Sequence, residues 1–104
     1  MEFKITGRHL DITPAIREYA DKKTERVHRY FNRVQEIQVV VDKKDRAFEV
    51  ELIVDVEHHD PFIARHRDED LYACIDQTMD KMERQLTDHK EKLRNRKHIT
   101  KEAG

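Results

Sequence analysis

Between Ala47 and Glu57 the chain alternates apolar and polar residues more strictly than anywhere else, and this alternation most limits what it can fold into. The apolar positions are Phe48, Val50, Leu52, Val54 and Val56. The intervening positions are mostly acidic: Glu49, Glu51, Asp55 and Glu57. Because successive side chains of a strand point to opposite faces, the pattern predicts a β-strand with one face on a core and the other in water. Such a strand needs neighbouring strands and a layer that covers its apolar face.

Three further segments supply the neighbouring strands. Alternation over residues 36–41 predicts a strand, and the polar residues 42–45 predict a turn that joins it to the strand just described as a hairpin. Phe3 and Ile5 predict a first strand that ends near Gly7. Residues 62–67 predict a fourth strand, after a break at residues 58–61.

Two helices are predicted, one on each side of the three later strands. Thr13 is an N-cap candidate directly before Pro14, so a helix should begin there and run to about Phe31. Its apolar positions recur at helical spacing: Ile16, Ala20, Val27 and Phe31. A long second helix follows the acidic residues 68–70, and its apolar positions are Leu71, Ile75, Met79, Met82, Leu86 and Leu93. This order predicts an α+β fold, β-α-β-β-β-α, with a four-stranded, mostly antiparallel sheet and both helices packed on one face.

The length of 104 residues leaves room for one hydrophobic core. We expect a single α+β domain over residues 1–95 and a flexible basic tail over residues 96–104. No segment has the ~20 apolar residues of a membrane span, and residues 1–10 lack the pattern of a signal peptide. The lone Cys74 fits a reducing compartment, so we expect a cytoplasmic protein.

Catalytic and cofactor sites find little support in the sequence. Serine is absent and the two glycines are Gly7 and Gly104, which excludes a serine nucleophile and a glycine-rich phosphate loop. The histidines considered as metal ligands are His58, His59 and His66, beside Asp60. Because adjacent residues of a strand point to opposite faces, His58 and His59 are poorly placed to bind one metal ion. We therefore predict no metal and no cofactor. Cys74 lies among apolar helix positions and is interpreted as a packing residue, and the protein is not predicted to be an enzyme or to bind a small-molecule substrate.

The net charge of -1 conceals a strong segregation of charge along the chain. Residues 1–41 carry eight Lys/Arg and six Asp/Glu, residues 42–80 carry five and twelve, and residues 81–104 carry eight and four. Local field rather than net charge therefore decides which partners such a molecule attracts. A near-neutral total does not exclude nucleic acid.

Both predicted helices carry rows of cations. The first has Lys22, Arg26, Arg29 and Arg33 at i, i+4, i+7 and i+11, with Lys23 beside them, and the second has Lys81, Arg84 and Lys92 on one face. The final segment adds Lys90, Arg94, Arg96, Lys97 and Lys101. If the helices lie side by side, we expect the cations of both to converge on one flank that binds a polyphosphate. The alternative is a solvated surface with i,i+4 ion pairs such as Glu18 with Lys22, and charge alone leaves both open.

Two segments resemble a known family, the bacterial hibernation-promoting factors, with the ribosome-associated inhibitor A group as near relatives. The first segment is KITGRHLDITPAIREYADKK, which is similar to the family pattern ITG…ITPA(L/I)R(E/D)Y…KK. The second is DLYACIDQTMDKMERQLTDHKEK, which resembles the family helix D(M/L)YAAID…DKLERQL.KHK. The resemblance covers essentially residues 1–94.

The resemblance implies a fold like that of double-stranded-RNA-binding domains and a protein that silences translation. It would bind the small ribosomal subunit at the decoding region and occupy the sites of messenger and transfer RNA. The residues that the resemblance implies in contact with ribosomal RNA are Lys22, Lys23, Arg26, Arg29, Lys81, Arg84, Gln85, Lys90 and Lys92. The charge pattern adds Arg33, Arg94, Arg96 and Lys97.

The chain also departs from the family pattern at several positions. Asp88 stands where relatives commonly carry Lys, Cys74 where they carry Ala, Thr24 where they carry an apolar residue, and His58 and His59 replace a glycine-bearing turn.

The length resembles the short forms of the family. The basic ending favours the stationary-phase stress factor that promotes inactive ribosome dimers with a second small factor. Two alternatives stay open: the inhibitor A type, which opposes dimers, and a generic double-stranded-RNA-binding module.

Overall fold

The computed structural model describes the backbone of residues 2–103 and the side chains of that range except Tyr30 and residues 94–103. Its elements are β1 (Glu2–Arg8), α1 (Pro14–Tyr30), β2 (Val34–Lys44), β3 (Ala47–Val56), β4 (Phe62–Asp68) and α2 (Leu71–Ala103). The predicted order β-α-β-β-β-α is confirmed. The single domain over residues 1–95 and the flexible tail over residues 96–104 stay predictions.

The four strands form one sheet in the order β1-β2-β3-β4. β1 runs parallel to β2, because α1 crosses over between them, and the other two pairs are antiparallel. The register pairs Val39 with Leu52 and Val41 with Val50, which brings the apolar positions of the hairpin onto a common face. The sheet is therefore mixed and mostly antiparallel, as the sequence predicted.

Both helices cover the same face of this sheet. One buried cluster joins Ala20 and Val27 of α1, Val41 and Leu52 of the sheet and Met82 of α2. Each of these five side chains is at most 2% exposed. The acidic positions of β3 lie on the other face, which has no covering helix, so the strict alternation of this strand records the two environments of the sheet.

Local capping fixes where each helix begins. Thr13 Oγ1 accepts a hydrogen bond from the Ile16 amide at 3.2 Å, and Pro14 occupies the first helical turn. Ahead of α2, Asp70 Oδ1 accepts from the Tyr72 amide at 3.0 Å and from the Ala73 amide at 3.4 Å. The acidic residues before α2 therefore act by satisfying free amides at the helix start.

Gly7 is required by the close approach of the chain that follows β1. A methyl group at this position would overlap the carbonyl oxygen of Leu10 and would lie 3.1 Å from the side chain of Ile12. Only a residue without a Cβ allows the loop at residues 9–13 to fold back against β1 and lead into α1.

Candidate nucleic-acid interface

The prediction that Lys22, Arg26, Arg29 and Arg33 form one row on α1 is only partly correct. Lys22 and Arg29 are exposed on the helix, and Lys22 Nζ lies 3.5 Å from Glu18 Oε1 in the i,i+4 pair expected of a solvated face. Arg33, however, is not on the helix. α1 ends at Tyr30, three residues earlier than a row reaching Arg33 requires, and Arg33 lies in the turn that leads into β2.

Two cations of α1 contact acids of α2 along the seam between the helices. Lys23 Nζ lies 3.4 Å from Asp76 Oδ1, and Arg26 Nε lies 3.1 Å from Glu83 Oε1. Arg26 Nη2 also donates to Glu83 Oε2 at 3.4 Å. The Glu83 side chain is 20% exposed and its Oε1 accepts no well-oriented hydrogen bond, so the guanidinium offsets its charge mainly through proximity. These two cations are partly neutralised within the fold.

Tyr19 adds a polar contact to the same seam. Its hydroxyl donates to Asp76 Oδ1 at 2.7 Å, and its ring meets Tyr72 edge-on with centroids 4.7 Å apart. The hydrogen bond to the Asp76 carboxylate, followed by burial, raises the pKa of Tyr19 from 10.0 to about 12. Tyr72, although 41% exposed, therefore packs against Tyr19 at the seam.

Lys81 and Gln85 lie on the opposite flank of α2, over the edge of the sheet. Lys81 Nζ donates to the Arg65 carbonyl oxygen and Gln85 Nε2 to the Ile63 carbonyl oxygen, both at 2.8 Å. The predicted convergence of cations from both helices on one flank is wrong for Lys81. The physical reason is that α2 has β4 on one side and α1 on the other, so its two flanks face different neighbours.

Cations from different elements do converge at one end of the molecule. Arg33, Lys90 and Lys92 line a common groove of about 860 Å³, between the end of α1, the β3–β4 loop and α2. Arg29 lies in the last turn of α1, two residues before Phe31, which also lines the groove. We call Arg29, Arg33, Lys90 and Lys92 the basic end. All four residues are exposed, so phosphate can reach them without rearrangement of the fold.

The remaining predicted cations are divided between exposed and undescribed positions. Arg84 and Asp88 are both exposed on α2. The side chains of Arg94, Arg96 and Lys97 lie outside the described residues.

Metal and thiol chemistry have no site in the part of the chain that the structure describes. No group of three or more His, Cys, Asp or Glu side chains there could hold a metal ion. His58 Nε2 lies 3.2 Å from Glu57 Oε1, and His59 lines the groove beside the basic end. Cys74 is fully buried, its Sγ donates to the His66 carbonyl oxygen at 3.1 Å, and burial raises the pKa of the thiol. Cys74 is a packing residue, as predicted.

Asp76 and Glu83, the two acids of the seam, contact Lys23 and Arg26, and the sequence-based prediction of the interface did not include them. Their spacing of seven residues places them on one flank of α2, and it matches the spacing of Tyr19, Lys23 and Arg26 on α1. Complementary charge rows at helical spacing on two helices were the available signal.

Residues 3–94 match the protein family that is described as sigma 54 modulation protein / S30EA ribosomal protein. The ribosome hibernation promoting factor of Azotobacter vinelandii is 37% identical over 92 residues, which cover 88% of this chain and 85% of that protein. The factor of the same name from Escherichia coli K12 is 38% identical over 97 residues, which cover 90% of this chain and 98% of that protein.

Solved structures share the fold. The N-terminal domain of Protein Y from Thermus thermophilus superposes with a TM-score of 0.75 at 35% identity, covering 83% of this chain and 96% of that domain. A ribosomal subunit interface protein from Coxiella burnetii gives a TM-score of 0.79 at 26% identity, covering 88% of this chain and 99% of that one. No helix within the described residues is long and apolar enough to cross a membrane. The chain belongs to the ribosome hibernation promoting factor family, whose members are ribosome-associated factors rather than enzymes.

Proposed function

We propose that this protein binds the small ribosomal subunit at the decoding region, in the cytoplasm, and stops translation by occupying the sites of messenger and transfer RNA. It then promotes inactive ribosome dimers together with a second small hibernation factor. The observation that carries the proposal is the continuous match over residues 3–94 to a family of ribosome hibernation promoting factors. The match spans β1 from residue 3, α1, β2, β3, β4 and α2 up to residue 94.

The charge distribution of the structure supports contact with a polyphosphate. Lys22 and Arg29 are exposed on α1, and the basic end adds cations from α2 and from the turn before β2. Each phosphate that such cations neutralise releases counterions, so affinity should fall steeply with salt, with a log-log slope of about -0.7 to -0.9 per phosphate. The acids of β3 lie on the other face of the sheet and stay away from this surface.

A sucrose gradient of purified ribosomes with and without the purified chain tests the proposal. We expect the chain to migrate with the small subunit and the 70S particle, and a fraction of the particles to shift to dimers once a second small hibernation factor is added. Migration with the small subunit combined with loss of dimers would support the inhibitor A type instead. Absence of the chain from every ribosomal fraction would contradict ribosome binding.

A matched pair of double variants links the binding to α1. Lys22→Glu with Arg29→Glu reverses two exposed cations of the helix, whereas Lys44→Glu with Arg46→Glu makes the same change of charge at the far end of β2. Only the first double variant should lose migration with small subunits, and both should keep the far-ultraviolet circular dichroism of the parent. Equal loss in both would show that net charge alone governs association.

A further inference from the structure

The groove at the basic end contains a cluster of rings that the cationic surface alone does not explain. His59 stacks on Phe62 with the planes 4° apart and the centroids separated by 4.5 Å. His89 meets His59 edge-on at 4.5 Å and also contacts Phe31 at 5.9 Å. His59, His89 and Phe31 all line the groove. The groove therefore has an aromatic wall beside its cations.

The orientation of His59 is fixed by its own loop. Nδ1 of His59 donates to the Asp60 carbonyl oxygen at 2.5 Å, since a carbonyl oxygen only accepts. His58 precedes it with φ of 61°, in the left-handed region, which turns the chain sharply at this point. One face of the His59 ring is covered by Phe62, while the residue as a whole is exposed and lines the groove. A planar group that enters the groove can extend the stack of Phe62 and His59.

The charges around these rings favour an anionic ligand. Arg33, Lys90 and Lys92 line the groove, and Glu57 is the one acid among the described residues that do so. The carboxylate of Glu57 is already held by His58 Nε2 at 3.2 Å. The ligand that fits is therefore planar and aromatic at one end and negatively charged at the other.

We propose that this groove binds one unpaired ribonucleotide, with its base stacked on His59 and its phosphate held by Arg33 and Lys92. Base stacking on aromatic side chains and phosphate contacts to cations are how proteins hold single-stranded RNA. A base within a duplex is covered on both faces by its neighbours and cannot stack on His59. This inference rests on the proposed function, because the nucleotide belongs to the RNA that the protein binds on the ribosome.

The test uses the full chain and a hexaribonucleotide that carries one 2-aminopurine, whose fluorescence falls when it stacks. We expect the parent protein to quench the fluorescence of this oligonucleotide on binding. The same sequence in a duplex should bind much more weakly, because its bases are already stacked. Adenosine monophosphate, as a competitor, should also bind much more weakly, because it lacks the neighbouring phosphates that the other cations of the basic end can contact. His59→Ala should remove the quench and weaken binding about 5- to 150-fold, the range expected for one stacked base. His59→Phe should keep the quench, because it keeps a ring in the stack.

The phosphate contacts have a charge-matched control. Arg33→Gln and Lys92→Gln should each weaken binding and reduce the magnitude of the log-log salt slope by about 0.7. Arg46→Gln removes the same charge from the turn at residues 45–46, at the opposite end of β2, and should leave both quantities unchanged. These variants change exposed residues, so they test the site even if His59→Ala lowers the melting temperature.

Four results would overturn the inference. The first is that the oligonucleotide binds without loss of fluorescence. The second is that His59→Ala and the parent bind it with equal affinity. The third is equal affinity for duplex and single strand. The fourth is that adenosine monophosphate binds as tightly as the hexamer, which would indicate a site for free nucleotides. Migration with small subunits is measured separately. If the protein binds ribosomes but not the oligonucleotide, the result counts against the groove alone. If it binds the oligonucleotide in the groove but not ribosomes, the result counts against the proposed function alone.

Discussion

Arg26 of α1 and Glu83 of α2 form a direct contact across the helix seam, with Nε 3.1 Å from Oε1 and Nη2 3.4 Å from Oε2. The guanidinium that the family resemblance implies in RNA contact is thus held by a carboxylate of its own fold. Since the Arg26 side chain is still 48% exposed, phosphate can compete with Glu83 for it. The contact with Glu83 therefore lowers the availability of the Arg26 guanidinium to any other anion.

Glu83→Gln should strengthen binding to small subunits. The substitution keeps the shape of the side chain but releases the charge of Arg26, so the log-log salt slope should steepen by about 0.7 to 0.9, the value of one additional phosphate contact. Filter binding at several salt concentrations measures the slope. Glu69→Gln makes the same change of charge at an exposed position between β4 and α2, and its slope should match that of the parent. Identical slopes for the two variants would show that Arg26 takes no part in RNA contact.

Gln85→Leu should make the protein prone to self-association. The amide of Gln85 donates to the Ile63 carbonyl oxygen, and Lys81 does the same for Arg65, so together they satisfy carbonyl oxygens on the outer edge of β4. Loss of one such bond should cost about 1 kcal/mol of stability and free an edge that can pair with another chain. Gln77→Leu, at an exposed position of the same helix, is the control. Light scattering over time should rise for Gln85→Leu and stay flat for Gln77→Leu; the opposite ranking would refute the edge role.

The hydroxyl of Tyr19 should titrate later than an ordinary tyrosine. Its pKa is raised from 10.0 to about 12 mainly because ionisation would remove the hydrogen bond that the hydroxyl donates to Asp76. Because the pKa of Tyr19 is higher in the folded state than in the unfolded state, the protonated hydroxyl stabilises the fold. This contribution is fully present below pH 10 and is lost as the pH rises towards 12. Absorbance of phenolate between pH 9 and 13 measures the transition. Tyr19→Phe should remove the late component, provided that circular dichroism shows both proteins folded; a late component that persists would place the raised pKa elsewhere.

Gly7→Ala should destabilise the protein by about 1 to 3 kcal/mol, the usual cost of forcing an extra methyl group into a packed site. The new methyl group would overlap the Leu10 carbonyl oxygen, and the backbone cannot move without shifting the entry into α1. Urea denaturation of the variant and of Lys4→Ala, an exposed change on the same strand, provides the measurement. Equal midpoints for the two variants would mean that the loop adapts at no cost.

Elements with one dominant signal were predictable from the sequence. The alternation of β3 reports the two faces of the sheet, and Thr13 with Pro14 marks the start of α1 through a hydrogen bond that the structure contains. The long apolar stripe of α2 likewise specifies a helix that is buried on one side. In each case the pattern depends on local geometry and on a single buried face, which sequence periodicity records directly.

The arrangement of the cations was harder to predict from the sequence. Arg33 continued the spacing of α1, but the helix stops at Tyr30, and helix ends depend on capping and on the strand that follows. The roles of Lys81 and Gln85 depend on α2 lying beside β4, which is a tertiary relationship. Charge rows identify which residues are cationic at the surface, whereas their partners follow from packing.

Competition with transfer RNA tests most directly whether this protein occupies the decoding region. Small subunits carrying messenger RNA are titrated with labelled transfer RNA at increasing concentrations of the chain, and the bound label is measured. We expect the apparent Kd of transfer RNA to rise in proportion to the concentration of the chain, as for two ligands of one site, and to do so much less with the Lys22→Glu and Arg29→Glu double variant. A complex in which the chain and transfer RNA are bound to the same subunit at once, each at its unchanged affinity, would contradict the proposed site.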